Sequence, residues 1–321
     1  NYLQMIKNYK TFIYLYILLF SKTILASSSA SFLISQTAFI NYDFNQVLYE
    51  YSSNQKKDYK NDYLDELISA VVTENMILAE KIAKKILLKD PNNQEAKLVS
   101  MIKAYNSKKQ NEIKDLSLDS SGKKNDLFEF IFFLNDKIKS KSSISNSFLE
   151  IVRSSYSDKD TNYSNNYNFL LFYTTLSILI NNENYEAIYI KGQLLQLIKD
   201  YFFAEATYLK IPENNDFFLE AQRNIAFNYS KENIFDDAEN KIIEIVNKNN
   251  EDYELKKILA DFYRIKKKYD LAINLYSELI VNNSKDVWYM FYLRGICYEQ
   301  SDNWEKAEKD FIKSLKLKRN S

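Results

Sequence analysis

Small and aromatic residues recur in a fixed order along the last third of the chain. From Gly295 the sequence steps twelve residues to Ala307 and four more to Phe311. Ala260, Ala272 and Tyr276 repeat those steps, as do Ala226, Ala238 and Ile242, and Gly192, Ala204 and Tyr208. The second small residues, Ala204, Ala238, Ala272 and Ala307, are 34, 34 and 35 positions apart. A period near 34 predicts an array of helix–turn–helix units, each a pair of antiparallel helices. Tyr229, Tyr263 and Tyr298 lie three residues after the first small residue of their unit, and Phe235, Tyr269 and Trp304 three before the second. The pattern places the small residues face to face, Gly295 opposite Ala307, so that the helix axes approach to about 8–10 Å. The aromatic residues, Trp304 among them, are expected to fill the space around these contacts.

The spacing persists more faintly upstream. Leu67, Ala79 and Ala83 keep it over residues 60–92, and Pro91 stands where one helix pair hands over to the next. Ser35, Val47 and Tyr51 keep it over 31–58, with Ala38 and Phe44 between them. From about Tyr105 to Asn168 the register is lost. "KKQNEIKDLSLDSSGKK" reads as a loop holding Gly122, and "SYSDKDTNYSNNYN" as a second loop. Apolar helices are expected around Leu127–Lys139 and Phe148–Ser155. The predicted organisation is therefore 27–104 N-terminal repeats, 105–183 a divergent helical segment with loop insertions, and 184–321 C-terminal repeats.

The amino end has a different layout. Lys7 and Lys10 precede an uncharged, mainly apolar run from Thr11 to Phe20, and small residues follow Ala26. A basic start, an apolar centre too short for a comfortable membrane span, and a small-residue end predict an export signal over 1–26, processed near Ala26 or Ala30. The alternatives are an N-terminal anchor or a buried first helix. The expected location is periplasmic or inner-membrane-anchored, with membrane contact only through this segment.

Composition narrows the chemistry. With 3 Gly and 2 Pro in 321 residues, turn-rich sheet folds are disfavoured and long helices on short Asn, Asp, Ser and Lys loops are favoured. Lys and Arg number 43, and so do Asp and Glu, which gives no electrostatic reason to expect a nucleic-acid partner. With no histidine, imidazole acid–base chemistry and the usual zinc sites are excluded. Cys297 is the single cysteine; it has no histidine to activate it and reads as a buried structural thiol. Glu183, Glu186, Glu299, Glu305 and Glu308 are spread along helix faces, and none forms a singled-out catalytic pair. Lys266, Lys267 and Lys268 fall in a turn and read as solvated, while Trp288 opens a helix where a ligand could stack. No catalytic, cofactor-binding or metal-binding residue is assigned.

Small–x2–Tyr in the first helix and aromatic–x2–Ala–x3–Phe/Tyr in the second resemble the tetratricopeptide repeat, most closely over Val287–Arg319, where Arg319 stands in place of the expected Pro. The layout as a whole is similar to exported tetratricopeptide proteins of α-proteobacteria. The resemblance implies an all-α, right-handed superhelical solenoid that binds a peptide or protein on the concave face made by the first helices. On this register that face includes Arg223, Phe227, Lys257, Asp261, Arg264, Tyr289, Tyr292 and Glu299. Phe227 and Ile296 stand where the family's clamp for peptide carboxyl ends needs polar residues, so no such clamp is expected. The expected function is a protein-interaction scaffold rather than an enzyme. The alternatives are a structural subunit of an envelope assembly and a solenoid glycan-processing enzyme. Phe311, Ile312, Leu315 and Leu317 on the last helix lead us to expect that the array continues past Ser321.

Overall fold

The computed structural model describes residues 28–53, 63–157, 166–231, 238–282 and 286–319. The expected export segment and Phe235 lie outside them. Apart from one short hairpin the described chain is helical, and it divides into two compact units, Asn1–Asn184 and Tyr185–Ser321.

The N-terminal unit begins with α1 (Ser28–Ile40) and α2 (Phe44–Ser53), then α3 (Leu64–Val72) and α4 (Met76–Lys89). Ser35, Val47 and Tyr51 are buried, as are Leu67, Ala79 and Ala83, so the faint spacing in both pairs marks their core. The next pair corrects the sequence reading. α5 (Gln94–Asn106) packs on α6 (Gln110–Ser117), within the stretch expected to be a loop. Only the loop after it, which holds Gly122 at φ 81°, remains irregular.

A second correction follows. The helix expected over Leu127–Lys139 is only α7 (Asp126–Phe132). It gives way to an antiparallel hairpin, β1 (Phe133–Leu134) and β2 (Lys137–Ile138), because Asn135 and Asp136 both adopt positive φ, 50° and 60°. Two consecutive left-handed residues make a turn whose twist suits a two-residue hairpin, and Asn and Asp tolerate it best after Gly. The helix expected around Phe148–Ser155 is longer, α8 (Lys141–Ser157), and pairs with α9 (Tyr167–Ile180). Ser145 and Ser177 each donate a hydroxyl to the other's carbonyl at 2.9 Å, which satisfies both inside the packed pair.

The C-terminal unit holds four pairs: α10 (Tyr185–Leu197) with α11 (Tyr201–Tyr208), α12 (Phe218–Lys231) with α13 (Ala238–Lys248), α14 (Tyr253–Ile265) with α15 (Tyr269–Asn282), and α16 (Val287–Gln300) with α17 (Trp304–Lys318). Ala226, Ala238, Ala260, Ala272 and Ala307 are buried in these pairs. The glycine also has a partner that the spacing did not reveal. A Cβ on Gly295 would stand 2.7 Å from the Phe311 ring, and one on Gly192 would collide with the Tyr208 ring. The first-helix glycine is therefore the seat of the aromatic residue sixteen positions on.

One turn joins most of these pairs. Tyr42, Glu74, Lys108, Lys199, Lys267 and Asp302 occupy the middle of three-residue turns with φ between 58° and 64°. In each, the following residue's N–H reaches the carbonyl five positions back: Asp43 to Ala38, Asn75 to Ala70, Lys109 to Ala104, Asp200 to Leu195, Lys268 to Tyr263 and Asn303 to Tyr298, all at 2.8–2.9 Å. The middle residue's own N–H reaches three back. This is the Schellman end, which satisfies two orphan carbonyls of the first helix. In several turns the same following residue caps the second helix: Asn75 accepts from the Leu78 N–H, and Asp200 from the Phe203 N–H. Stop and start are thus compressed into three residues, and none of the six uses glycine.

Candidate functional site

The six turns fix one register for both units. With the first helix's packing residue as zero (Ala226, Ala260, Gly295), positions −3, +1 and +4 share one side of that helix, about 40–100° round from the packing residue. In the C-terminal unit these are Arg223, Phe227 and Ser230; Lys257, Asp261 and Arg264; and Tyr292, Ile296 and Glu299. The first helices lie side by side, since α10 meets α12 and α12 meets α14, while Asp261 and Arg264 of α14 act electrostatically on Cys297 of α16.

All eight residues assigned from the sequence fall on these first helices, but several already have work inside the array. Arg223 donates from Nε to both oxygens of Asp252, at 3.1 and 3.2 Å, and from its terminal nitrogen at 2.5 Å. Asp252 is buried and caps α14 by accepting from the Leu255 N–H at 2.8 Å. Arg223 therefore ties one helix pair to the start of the next. Arg264 donates to Asp261 at 3.1 Å and to the Tyr276 hydroxyl at 3.2 Å, and that hydroxyl donates to Asp261 at 2.7 Å. Burial raises the Tyr276 phenol, so it remains a donor at all ordinary pH. Lys257 sits 3.4 Å from Glu254.

The ends of the wall are aromatic. Tyr189 stacks on Phe217 with ring centres 5.2 Å apart, and its hydroxyl receives hydrogen bonds from Gln193 and Asn224. Tyr289 stacks on Tyr292 at 6.3 Å, and Tyr292 leans on Phe311 at 6.0 Å while remaining 44% exposed. Trp288 is half-buried, with Tyr289 on one side and the Lys318 ammonium 4.7 Å from its ring centre. Phe227 is exposed at the edge.

Sequence reading missed a buried ion pair of the unit. Arg294 holds Asp310 through two bonds, 2.7 and 2.8 Å, and also donates to Ser277 at 2.9 Å, between the rings of Phe291 and Tyr298. Asp310 is buried, so the pair joins α16 to α17 and, through Ser277, to α15. An aspartate sixteen positions after an arginine gives no signal by itself, yet it is the same offset that brings Phe311 to Gly295. Cys297 is fully buried, and desolvation pushes its thiol up to about 11, as suits a structural residue. Trp304 corrects another expectation. It is 62% exposed at the start of α17 and does not fill the core. Lys268 is engaged rather than simply solvated, reaching Glu239 at 2.6 Å.

No family model matches the chain, and no curated protein matches it. Solved structures similar to it are helical repeat proteins. A tetratricopeptide repeat protein from Parabacteroides merdae is 16% identical, with 79% of this chain and 91% of that one covered and a TM-score of 0.36. Yeast Tom70 is 14% identical, with 90% and 85% covered and a TM-score of 0.38. The tetratricopeptide domain of P58(IPK) is 12% identical, with 89% and 99% covered and a TM-score of 0.25. At such TM-scores the fold rests on this chain's own helix pairs and not on superposition.

The two units treat the wall in opposite ways. In the N-terminal unit the equivalent positions are Leu64, Ile68 and Val71 on α3, and Leu98, Ile102 and Tyr105 on α5. Val71, Leu98 and Ile102 are fully buried, and α9 packs against both α3 and α5. α9 is itself buried almost all round, from Leu170 to Ile178. An apolar helix of the same chain thus covers the first-helix wall in one unit. In the other, no described helix of the same unit lies over it. Among the described residues no helix is long and apolar enough to cross a membrane, and no group of acidic and cysteine side chains is arranged to hold a metal ion.

Proposed function

We propose that the chain is a protein-interaction scaffold of the bacterial envelope, exported through its N-terminal segment, and that the first-helix wall of the C-terminal unit receives a peptide or protein surface. One observation supports this most. Positions filled by Leu98 and Ile102 and covered by α9 in the N-terminal unit carry Arg223, Phe227, Lys257, Asp261 and Tyr292 without a covering helix in the C-terminal unit. Polar and aromatic residues held by a rigid helix array suit recognition rather than core packing. The Arg223–Asp252 and Arg264–Tyr276 contacts fix the wall's shape, so Phe227, Tyr289, Tyr292 and Glu299 are the groups we assign to direct contact.

The test is selection of a displayed peptide library on the immobilised protein. Enriched ligands should lose binding to Tyr292→Ala and Phe227→Ala and retain it for Ile265→Ala, on an exposed position outside the wall. Ligands insensitive to both wall variants would overturn the reading. Export is tested separately, by mass spectrometry of the mature amino terminus in an envelope fraction. A second reading, an assembly subunit, draws on Trp304, Ile312 and Leu315, which share one side of α17 and are 62%, 45% and 59% exposed. Light scattering tests it, because a partner on that side made by a second copy would give a dimer that Leu315→Glu dissolves.

A further inference from the structure

The charges on the wall indicate which peptides it takes. We infer that its partner is a basic segment, whose Lys or Arg side chains pair with Glu220 and Glu299 and lie against the neighbouring aromatic rings. This rests on the reading that the wall is the binding surface.

The cations of the wall are already matched from within: Arg223 by Asp252, Lys257 by Glu254 and Arg264 by Asp261. Recruiting Arg223 for an acidic partner would strip a buried helix cap of its counter-charge, which is costly. The wall therefore has little positive charge to offer. Two of its carboxylates are less fully matched. Glu220 lies near Tyr189 and near Arg223, whose charge Asp252 already takes, and neither Glu220 nor Glu299 is within ion-pair distance of a cation among the described residues. Aromatic surface shares the wall with both: Tyr189, near Glu220, stacks on Phe217, and Tyr292 lies about 10 Å before Glu299 along the same helix face. A carboxylate with an aromatic face nearby suits a cationic side chain, because Coulomb attraction and the ring quadrupole act on the same group.

The covered wall supplies the contrast. It is apolar, and it takes an apolar helix of this chain. An apolar helix on the open wall would bury Glu220 and Glu299 without a counter-charge, which selects against it. Spacing adds a constraint. α12 and α16 are two first helices apart, about 16–20 Å at the usual interaxial distance, and Glu220 and Glu299 are ten register positions apart along them, about 15 Å of rise. About 22–25 Å therefore separates them, which an extended segment spans with about seven residues.

The experiment uses the full chain and two labelled peptides of about twelve residues in a Ser/Ala/Leu background, one with Arg at two places about seven apart, the other with Glu there. Fluorescence anisotropy should show the Arg peptide binding at least about tenfold tighter than the Glu peptide, and weakening as salt rises from about 50 to about 200 mM. The double variant Glu220→Gln, Glu299→Gln should lose about tenfold in affinity with unchanged circular dichroism, and Tyr292→Ala should also weaken binding. Glu308→Gln, an exposed carboxylate on α17, should change nothing. Arg-peptide binding that survives the double variant, or falls equally with Glu308→Gln, overturns the inference as unspecific attraction. Preferred binding of the Glu peptide, still weakened by Tyr292→Ala, overturns the charge assignment and leaves the wall as the site. If neither peptide binds but library ligands map to the wall, this inference alone falls. If no ligand maps there, both fall.

Discussion

The first helices α5 and α14 have the same Schellman end and opposite fates. In α5, Leu98 and Ile102 project from the wall and are fully buried beneath α9. In α14 the same positions carry Lys257 and Asp261, which stay partly in water and pair with neighbours on their own helix. One backbone plan thus gives a closed wall or an open one, depending on three side chains per helix and on whether the chain supplies its own covering helix. What the N-terminal unit covers with its own helix, the C-terminal unit leaves uncovered by its own helices.

The sharpest way to break this comparison is to attack what holds the open unit together without a covering helix. Asp310→Ala strands the Arg294 guanidinium between two rings, and breaking such a pair costs about 3–5 kcal/mol. Hydrogen exchange should show α16 and α17 opening while α3 and α5 keep their protection. Unchanged exchange in α17 would mean that the contact is ornamental and that apolar packing alone secures the unit.

Next come the wall residues themselves. Leu98→Ala removes a fully buried side chain under α9 and should cost about 2–5 kcal/mol. Tyr292→Ala at the same register position, 44% exposed, should cost under about 1 kcal/mol. Denaturant midpoints followed unit by unit decide this, and equal losses would erase the distinction between the walls.

Smaller effects sharpen the shared plan. Gly295→Ala gains helix propensity of about 1 kcal/mol but drives a Cβ into the Phe311 ring, so a net loss of about 1–2 kcal/mol is expected. Gly295→Ala combined with Phe311→Leu should recover part of it, because the smaller side chain vacates the seat. The smallest effect is a gain. Lys267 sits at φ 60° in its turn, and Lys267→Gly should raise stability by up to about 1 kcal/mol through relief of left-handed strain. A loss there would mean that the lysine side chain contributes more than its backbone costs.

Much of this was legible from the residues alone, for identifiable reasons. The four C-terminal pairs could be read because Ala, Gly, Tyr and Phe mark the close contacts, and few other types fit them. The α5–α6 pair was hidden because Met101 takes the place of the small residue and the turn through Ser107, Lys108 and Lys109 carries no glycine. The hairpin after α7 was hidden inside an apolar run, although Asn135 and Asp136 are the residue types such a turn favours. Trp304 misled because its register position is a packing position in α15, where Tyr269 is half-buried, whereas Trp304 itself is largely exposed. For the site, periodicity put all eight residues on one side of the first helices. It could not show that Arg223 serves Asp252, because that partner lies 29 positions away in a loop whose approach depends on how the pairs stack. Nor could it show that α9 closes one wall, since α9 falls where the register disappears.

The most direct measurement is hydrogen exchange on the full chain with and without a peptide selected from the library. Binding to the open wall should slow exchange in α12, α14 and α16 and leave α3, α5 and α9 unchanged. Protection confined to α3 and α5, or faster exchange in α9 as it is displaced by the peptide, would contradict the assignment of the binding surface to the C-terminal unit.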